Sequence, residues 1–142
     1  MDATLPAKSF SRLFRVLWRC FLFAVLLGGA TPTARAITNG TWISNASANW
    51  SDTIRWSGSL VADGAGCTAN ITANITAART ITIDGAVASR TVGILNIGDT
   101  VVSHSFILAA SGGATLTFDN SGTDARLNQI SISAANTFNS TM

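Results

Sequence analysis

Beyond residue 36 the sequence contains no lysine and no glutamate, and its charge is low throughout. Charged residues make up 11% of the 142-residue chain. From Ile37 onward four arginines stand against six aspartates, a net charge of −2, so the first 36 residues supply the overall +2. Lysine and glutamate are good helix formers, and their absence argues against helices. The absence of a basic patch argues against nucleic acid as a partner.

Cysteine and histidine are equally scarce, which limits the chemistry of the chain. Cys67 is the only cysteine after residue 36, so it makes no internal disulfide. We expect a small, partly buried residue there, with an intermolecular disulfide as the alternative. His104 is the only histidine, and one histidine with one cysteine gives no cluster of metal ligands. We therefore expect no metal and no cofactor.

The surroundings of His104 do not favour catalysis. Ser103 and Ser105 flank it, and Asp99 is nearby in sequence. A serine hydrolase also needs an acid that orients the histidine and an oxyanion hole. The stretch "GDTVVSHSF" has the pattern of a turn that leads into a strand. We predict no catalytic residues, and the chain is not expected to be an enzyme.

The first 36 residues have the composition of a secretory signal peptide. Five basic residues against one aspartate accompany the uncharged apolar run "CFLFAVLLGGA", and Ala34-Arg35-Ala36 follows as a cleavage site of small residues. A membrane-spanning helix needs about 20 apolar residues, and this run is shorter. We expect cleavage after Ala36 and export to the extracellular space or the cell surface, in association with the outer membrane. The part that follows is not expected to span a membrane.

The remaining chain shows the periodicity of β-strands. In "TANITANITAARTITIDG", residues 68–85, alanine and isoleucine occupy almost every odd position, while asparagine and threonine fill most even ones. Apolar residues at period two are typical of half-buried strands. A bend near residues 77–79 is expected to divide this run. Further strands are predicted at 91–98, 104–110, 114–119 and 128–133, separated by turns rich in Gly, Asn and Asp.

These strands predict an all-β domain, and a right-handed parallel β-helix is favoured over a β-sandwich. The strands are short, their polar face consists of Thr, Ser and Asn, and such residues form ladders between successive coils. With roughly 20 to 25 residues per coil, about four coils are expected. We assign residues 37–66 to a tryptophan-rich N-terminal cap region and residues 67–142 to the β-helix repeats.

Several ordered segments resemble bacterial autotransporter-associated β-strand repeat proteins. They are "NWSDTIRWSG", "VADGAGCTANIT", "ARTITIDGAVASRTVGILNIGDT" and "SFILAASGGATLTF". The resemblance covers roughly residues 40–120 and implies a secreted or surface-displayed β-helix, similar to an autotransporter passenger domain. Members of this family run through more repeats and end in an outer-membrane barrel or a sorting segment. The chain is therefore expected to be an N-terminal fragment.

Trp42, Trp50 and Trp56 lie within fifteen residues and precede the first regular strand. An open solenoid end exposes strand edges and core, and solenoids need terminal units that cover it. We expect the three indoles to form such a cap, because their even spacing allows all three to face one side of an extended chain. The alternative is an aromatic platform that binds a carbohydrate.

The sequence thus predicts an exported structural or adhesive β-helical domain without catalytic activity, and a secreted carbohydrate-binding module is the alternative. No partner is identified, although surface glycans or matrix are compatible with either function. Nothing after residue 133 resembles a cap. We therefore expect self-association through an uncovered C-terminal strand edge.

Overall fold

The computed structural model describes residues 36–84, 89–101, 104–130 and 135–139. The predicted signal peptide, residues 1–36, lies outside this part except for its last residue. Two single-turn 3-10 helices, Thr53–Arg55 and Ser57–Ser59, lie between the second and third strands. The strands are β1 Gly40–Thr41, β2 Ala48–Asn49, β3 Thr68–Ile71, β4 Arg79–Ile83, β5 Ser89–Val92, β6 Ile94–Ile97, β7 Phe106–Ala110, β8 Thr115–Phe118, β9 Arg126–Gln129 and β10 Thr137–Asn139.

Every sheet of the described structure is parallel and joins strands from successive coils. The first sheet has the order β1-β3-β6-β9, the second β10-β7-β4-β2, and the third contains β5 and β8. The first coil supplies strands to the first and second sheets, and from β3 onward the chain visits all three sheets in turn before it returns to the first one coil further on. This is a stacked-coil β-solenoid of about three turns. The predicted parallel β-helix class is confirmed, and the sandwich alternative is not what forms.

The coils are longer than the sequence pattern predicts. Ala69 pairs with Leu95 and Leu95 with Leu127, so these register partners are 26 and 32 residues apart. Turns and loops between the strands account for the extra length. Fewer coils are therefore formed than the four expected.

The core consists of columns of apolar side chains that run from coil to coil. Ala69 lies against Leu95, Ile71 against Ile97 and Ile81 against Leu108, and all six are fully buried. They occupy alternate positions of their strands, as period two predicts. Complete burial of one isoleucine or leucine contributes roughly 1.5 to 3 kcal/mol. The core therefore lies inside each coil and also continues between coils.

The predicted bend near residues 77–79 is present, but the predicted strand at 91–98 is interrupted. Gly93 separates β5 from β6 and forms a corner of the coil. A Cβ atom at Gly93 would lie 2.4 Å from Asn120 Oδ1 and 2.8 Å from Gly66 Cα. Only glycine allows the chain to pass that close to the next coil.

The last two strands also differ from the sequence prediction. β9 begins at Arg126, before the predicted strand 128–133, of which residues 131–133 lie outside the described residues. β10 was not predicted. β10 pairs with β7, where Phe138 is in register with Leu108. Because β10 is only three residues long, its pattern is too short to stand out in the sequence. None of the helices in the described part of the chain has the length and apolarity needed to cross a membrane.

Candidate functional site at the two ends of the solenoid

The three tryptophans form a compact buried cluster in the first coil. Each indole is at most 1% exposed. The rings of Trp42 and Trp56 are 5.3 Å apart between centroids and nearly perpendicular, and those of Trp50 and Trp56 are 5.1 Å apart and tilted by 57°. Edge-to-face pairs of this kind contribute about 0.5 to 1.5 kcal/mol beyond the area they bury. The cluster is therefore the N-terminal part of the continuous hydrophobic core.

Every indole N–H of this cluster has a backbone acceptor. Trp42 Nε1 donates to the carbonyl of Ser44 at 2.9 Å, Trp50 Nε1 to that of Ala62 at 2.9 Å, and Trp56 Nε1 to that of Trp50 at 2.8 Å. Buried polar groups need such partners, because an unpaired donor is costly. The three bonds also fix the loops around the rings.

The even spacing of the three tryptophans suggests that their rings meet along one side of an extended chain. The structure brings the rings together in a different way. The two 3-10 turns reverse the chain, and Trp42 lies opposite Trp56 in an antiparallel bridge. Since the rings are buried and not coplanar, these residues offer no flat aromatic surface to a sugar. The platform hypothesis for Trp42, Trp50 and Trp56 lacks the exposed geometry that it requires.

A segment comprising residues 55–63, here called the covering segment, runs antiparallel along the outer side of β1. Ile43 N donates to the carbonyl of Arg55 at 2.9 Å, while Thr38 and Asp63 exchange backbone hydrogen bonds of 2.9 and 3.0 Å. Gly40 permits this approach, because a Cβ there would lie 2.6 Å from backbone atoms of the covering segment. The covering segment is therefore bonded to the chain just before and just after β1, at the N-terminal edge of the first sheet.

An ion pair links the covering segment to the next coil. Arg90 Nη1 lies 2.9 Å from Asp63 Oδ2, and both side chains are nearly buried. The other oxygen, Asp63 Oδ1, accepts a hydrogen bond from the backbone N of Thr91 at 3.2 Å. The carboxylate of Asp63 thus bridges two coils at the side of the solenoid.

The C-terminal end of the solenoid is exposed, in contrast to the N-terminal end. β9 is the last strand of the first sheet in the described chain, and all four of its residues are exposed. Leu127 and Ile130 are each 48% exposed. A groove of about 540 Å³ lies beside them, lined by Thr117, Phe118, Ala125 and Leu127. We call the surface formed by Phe118, Leu127 and Ile130 the C-terminal face. Sequence reasoning missed this face, because a single leucine such as Leu127 among polar residues resembles a turn.

A ladder of asparagines runs along the outer surface of the first sheet toward this face. Asn128 Nδ2 donates to Asn96 Oδ1 at 2.7 Å, and Asn96 Nδ2 donates to Asn70 Oδ1 at 2.7 Å. Asn70 in turn donates to Thr41 Oγ1 at 3.4 Å. All four residues are register partners. The ladder ties the coils together and ends at Asn128.

His104 lies close to Asp99, as their sequence positions suggest, but the carboxylate of Asp99 accepts hydrogen bonds from the backbone of the turn. Asp99 is buried and accepts backbone hydrogen bonds from Val101 and His104 at 3.1 and 3.2 Å. Asp99 Oδ2 is 3.7 Å from His104 Nδ1. Ser103 lies outside the described residues. This arrangement holds the turn that leads into β7.

Cys67 is a free, fully buried thiol. Its Sγ lies 3.5 Å from the carbonyl of Thr91. Burial raises the pKa of Cys67 to about 11. A thiol is nucleophilic only as the thiolate. Because the Cys67 thiol is buried and its pKa is raised, it is neither accessible nor reactive enough to favour the intermolecular disulfide. Among the described residues, no group of three or more His, Cys, Asp and Glu side chains is placed to hold a metal ion.

Comparisons with protein-family models, with curated proteins and with solved structures found no significant match to this chain.

Proposed function

We propose that this chain is a structural or adhesive part of an exported β-solenoid at the cell surface, without catalytic activity. The observation that carries the proposal is the continuity of the stack. The apolar columns and the asparagine ladder pass from coil to coil in register. In a solenoid of this kind, each coil mainly contacts its neighbours and adds length.

Two features of the sequence support the cellular setting. The basic N-terminal stretch and the apolar run after it have the pattern of an export signal. The segments from Asn49 to Phe118 resemble autotransporter-associated repeat proteins, a family of surface-displayed stalks. The outer faces of the described strands carry mostly neutral polar groups, which suit a spacer or an adhesive surface exposed to solvent.

The export step is tested with a reporter enzyme that is active only outside the cytoplasm, fused after Met142. A charge inside the apolar run, in Leu26→Arg, should remove most of the reporter activity. The matched control Leu26→Ile keeps the run apolar and should leave the activity unchanged. N-terminal sequencing of the exported protein should begin at Ile37. Equal activity of the Leu26→Arg and Leu26→Ile fusions would rule out this export route.

The surface role is tested separately on intact cells. A tag after Met142 should be labelled by antibody without permeabilisation and removed by external protease. The purified protein should bind immobilised matrix or glycan if the role is adhesive, and should bind neither if the role is that of a spacer. A tag that is protected from protease in intact cells would contradict surface display.

A further inference from the structure

The outer side of β9 presents backbone groups that no strand of the described chain covers. Arg126 N donates to the carbonyl of Gly93 at 3.0 Å, and Ile130 N to that of Ile97 at 2.8 Å. Successive residues of a strand direct their N–H and C=O groups to opposite sides, so Leu127 directs both groups away from β6. An exposed edge of this kind is a template for another strand.

The N-terminal end of a second copy is not able to supply that strand. Head-to-tail stacking would place β1 of one copy against β9 of another. The covering segment already lies against Gly40 of β1. It is bonded to the chain on both sides of β1, through the carbonyl of Arg55 to Ile43 N and through the reciprocal bonds between Thr38 and Asp63. Among the described strands, the edge of the first sheet that no other segment lies along is therefore that of β9.

The C-terminal face continues the interface that joins successive strands of the first sheet. β6 stacks on β3, and β9 stacks on β6 in the same way. Leu127 follows Ala69 and Leu95 in one column, yet no further coil of the described chain lies on its outer side. A second copy that covers Leu127 would bury the same kind of surface that holds the coils together. It would also close the groove beside Phe118.

We propose that two copies of this chain join through their β9 strands about a two-fold axis. The strands run antiparallel, and Leu127 lies opposite Leu127 of the second copy. The N–H of each Leu127 then donates to the C=O of the other, which satisfies the outward groups of both. A two-fold contact uses the same surface on both copies and closes, so association stops at the dimer.

Symmetric cross-linking tests the register directly. The full chain carrying Cys20→Ser has Cys67 as its only native thiol, and Cys67 is fully buried. Opposed residues of a hydrogen-bonded antiparallel pair have Cα atoms about 5.5 Å apart, which suits a disulfide. Under mild oxidation Leu127→Cys should give a covalent dimer. The matched control Ile54→Cys, at a side chain 70% exposed in the first coil, should stay monomeric.

Sedimentation of the uncross-linked protein provides the second readout. The parent chain should change from monomer to dimer with concentration and should form nothing larger. Leu127→Asp should weaken the dimer at least about tenfold, since two carboxylates would oppose each other across the axis, while Ile54→Asp should leave it intact. Circular dichroism establishes that both variants fold. Monomer at every concentration, growth beyond the dimer, or equal cross-linking at positions 54 and 127 would overturn the proposal. Export and surface display do not enter this test.

Discussion

Leu127 lies directly in register with Leu95, one coil further along the solenoid, yet the two side chains differ sharply in burial. Leu95 is fully buried, whereas Leu127 is 48% exposed. Ala69 lies on one side of Leu95 and Leu127 on the other. Within the part of the chain that the structure describes, Leu127 itself has a coil on one side only. The contribution of a leucine at this place in the coil to the free energy of unfolding therefore depends on its distance from the end of the stack.

This difference predicts unequal costs for the same substitution. Leu95→Ala removes a side chain enclosed by two coils and should lower the free energy of unfolding by roughly 2 to 5 kcal/mol. Leu127→Ala removes a half-exposed side chain and should cost about 1 kcal/mol or less. Urea unfolding of dilute protein, where the chain is monomeric, measures both. Equal costs at the two positions would mean that the end of the stack is covered in solution.

The buried residues within the strands could be predicted from the sequence because a β-strand turns successive side chains to opposite faces. Ala69, Ile71, Ile81 and Ile83 alternate with polar residues, and all four are buried. The bend between β3 and β4 was also predictable, because the run is longer than ordinary strands. Local backbone geometry alone fixes these features.

The pairing of coils could not be predicted in the same way. Partners in the first sheet are 26 and 32 residues apart, because the loops between strands differ in length. The corner at Gly93 depends on contact with Asn120 and Gly66, which are far from it in sequence. The tryptophans meet through turns at 53–59 rather than through an extended strand. Each of these features depends on long-range contacts that leave no local periodicity.

The buried tryptophan cluster predicts a distinctive fluorescence. In the full chain with Trp18→Phe, emission comes only from Trp42, Trp50 and Trp56, which are fully buried. We expect blue-shifted emission and weak quenching by acrylamide, and both should change to the values of exposed indole in denaturant. Added glycans should leave the emission unchanged. Red-shifted, easily quenched emission from the folded protein would instead support the platform hypothesis.

Removal of the central indole should weaken the first coil. Trp56 contacts both other rings and donates to the carbonyl of Trp50. Trp56→Ala should cost roughly 3 to 5 kcal/mol, in the range of large cavities. The exposed neighbour Ile54 is a matched control, and Ile54→Ala should cost less than about 0.5 kcal/mol. Thermal unfolding followed by circular dichroism measures the two effects.

The asparagine ladder predicts a graded response along the first sheet. Asn96 both donates to Asn70 and accepts from Asn128, at 2.7 Å each. Asn96→Ala removes both hydrogen bonds and should cost about 1 to 2 kcal/mol. Asn128→Ala removes one bond at an exposed position and should cost about 0.5 kcal/mol. Denaturant unfolding of the two variants measures both losses of unfolding free energy. A larger loss for Asn128→Ala than for Asn96→Ala would contradict the ladder as a stabilising element.

The thiol of Cys67 should make the stability of the fold fall at high pH. Burial is the largest cause that raises its pKa, from the ordinary 9.0 to about 11, with a smaller raising effect from Asp63 against a lowering one from the Gly93 amide. Between these values the unfolded chain loses the proton while the folded chain keeps it. The unfolded state is therefore favoured as pH rises. The contribution of the Cys67 thiol to the stability of the fold is fully present below pH 9 and is lost as the pH passes through 11.

The composition makes this titration unusually easy to isolate. The chain has no tyrosine, and outside Cys67 its only cysteine and lysine are Cys20 and Lys8. In a background with Cys20→Ser and Lys8→Arg, Cys67 is the one side chain that titrates between pH 9 and 11. Urea unfolding across this window should show a downward slope that Cys67→Ala abolishes. The same slope in the Cys67→Ala variant would assign the effect to the backbone or the termini, and a rapid reaction of native Cys67 with a thiol reagent at neutral pH would contradict its burial.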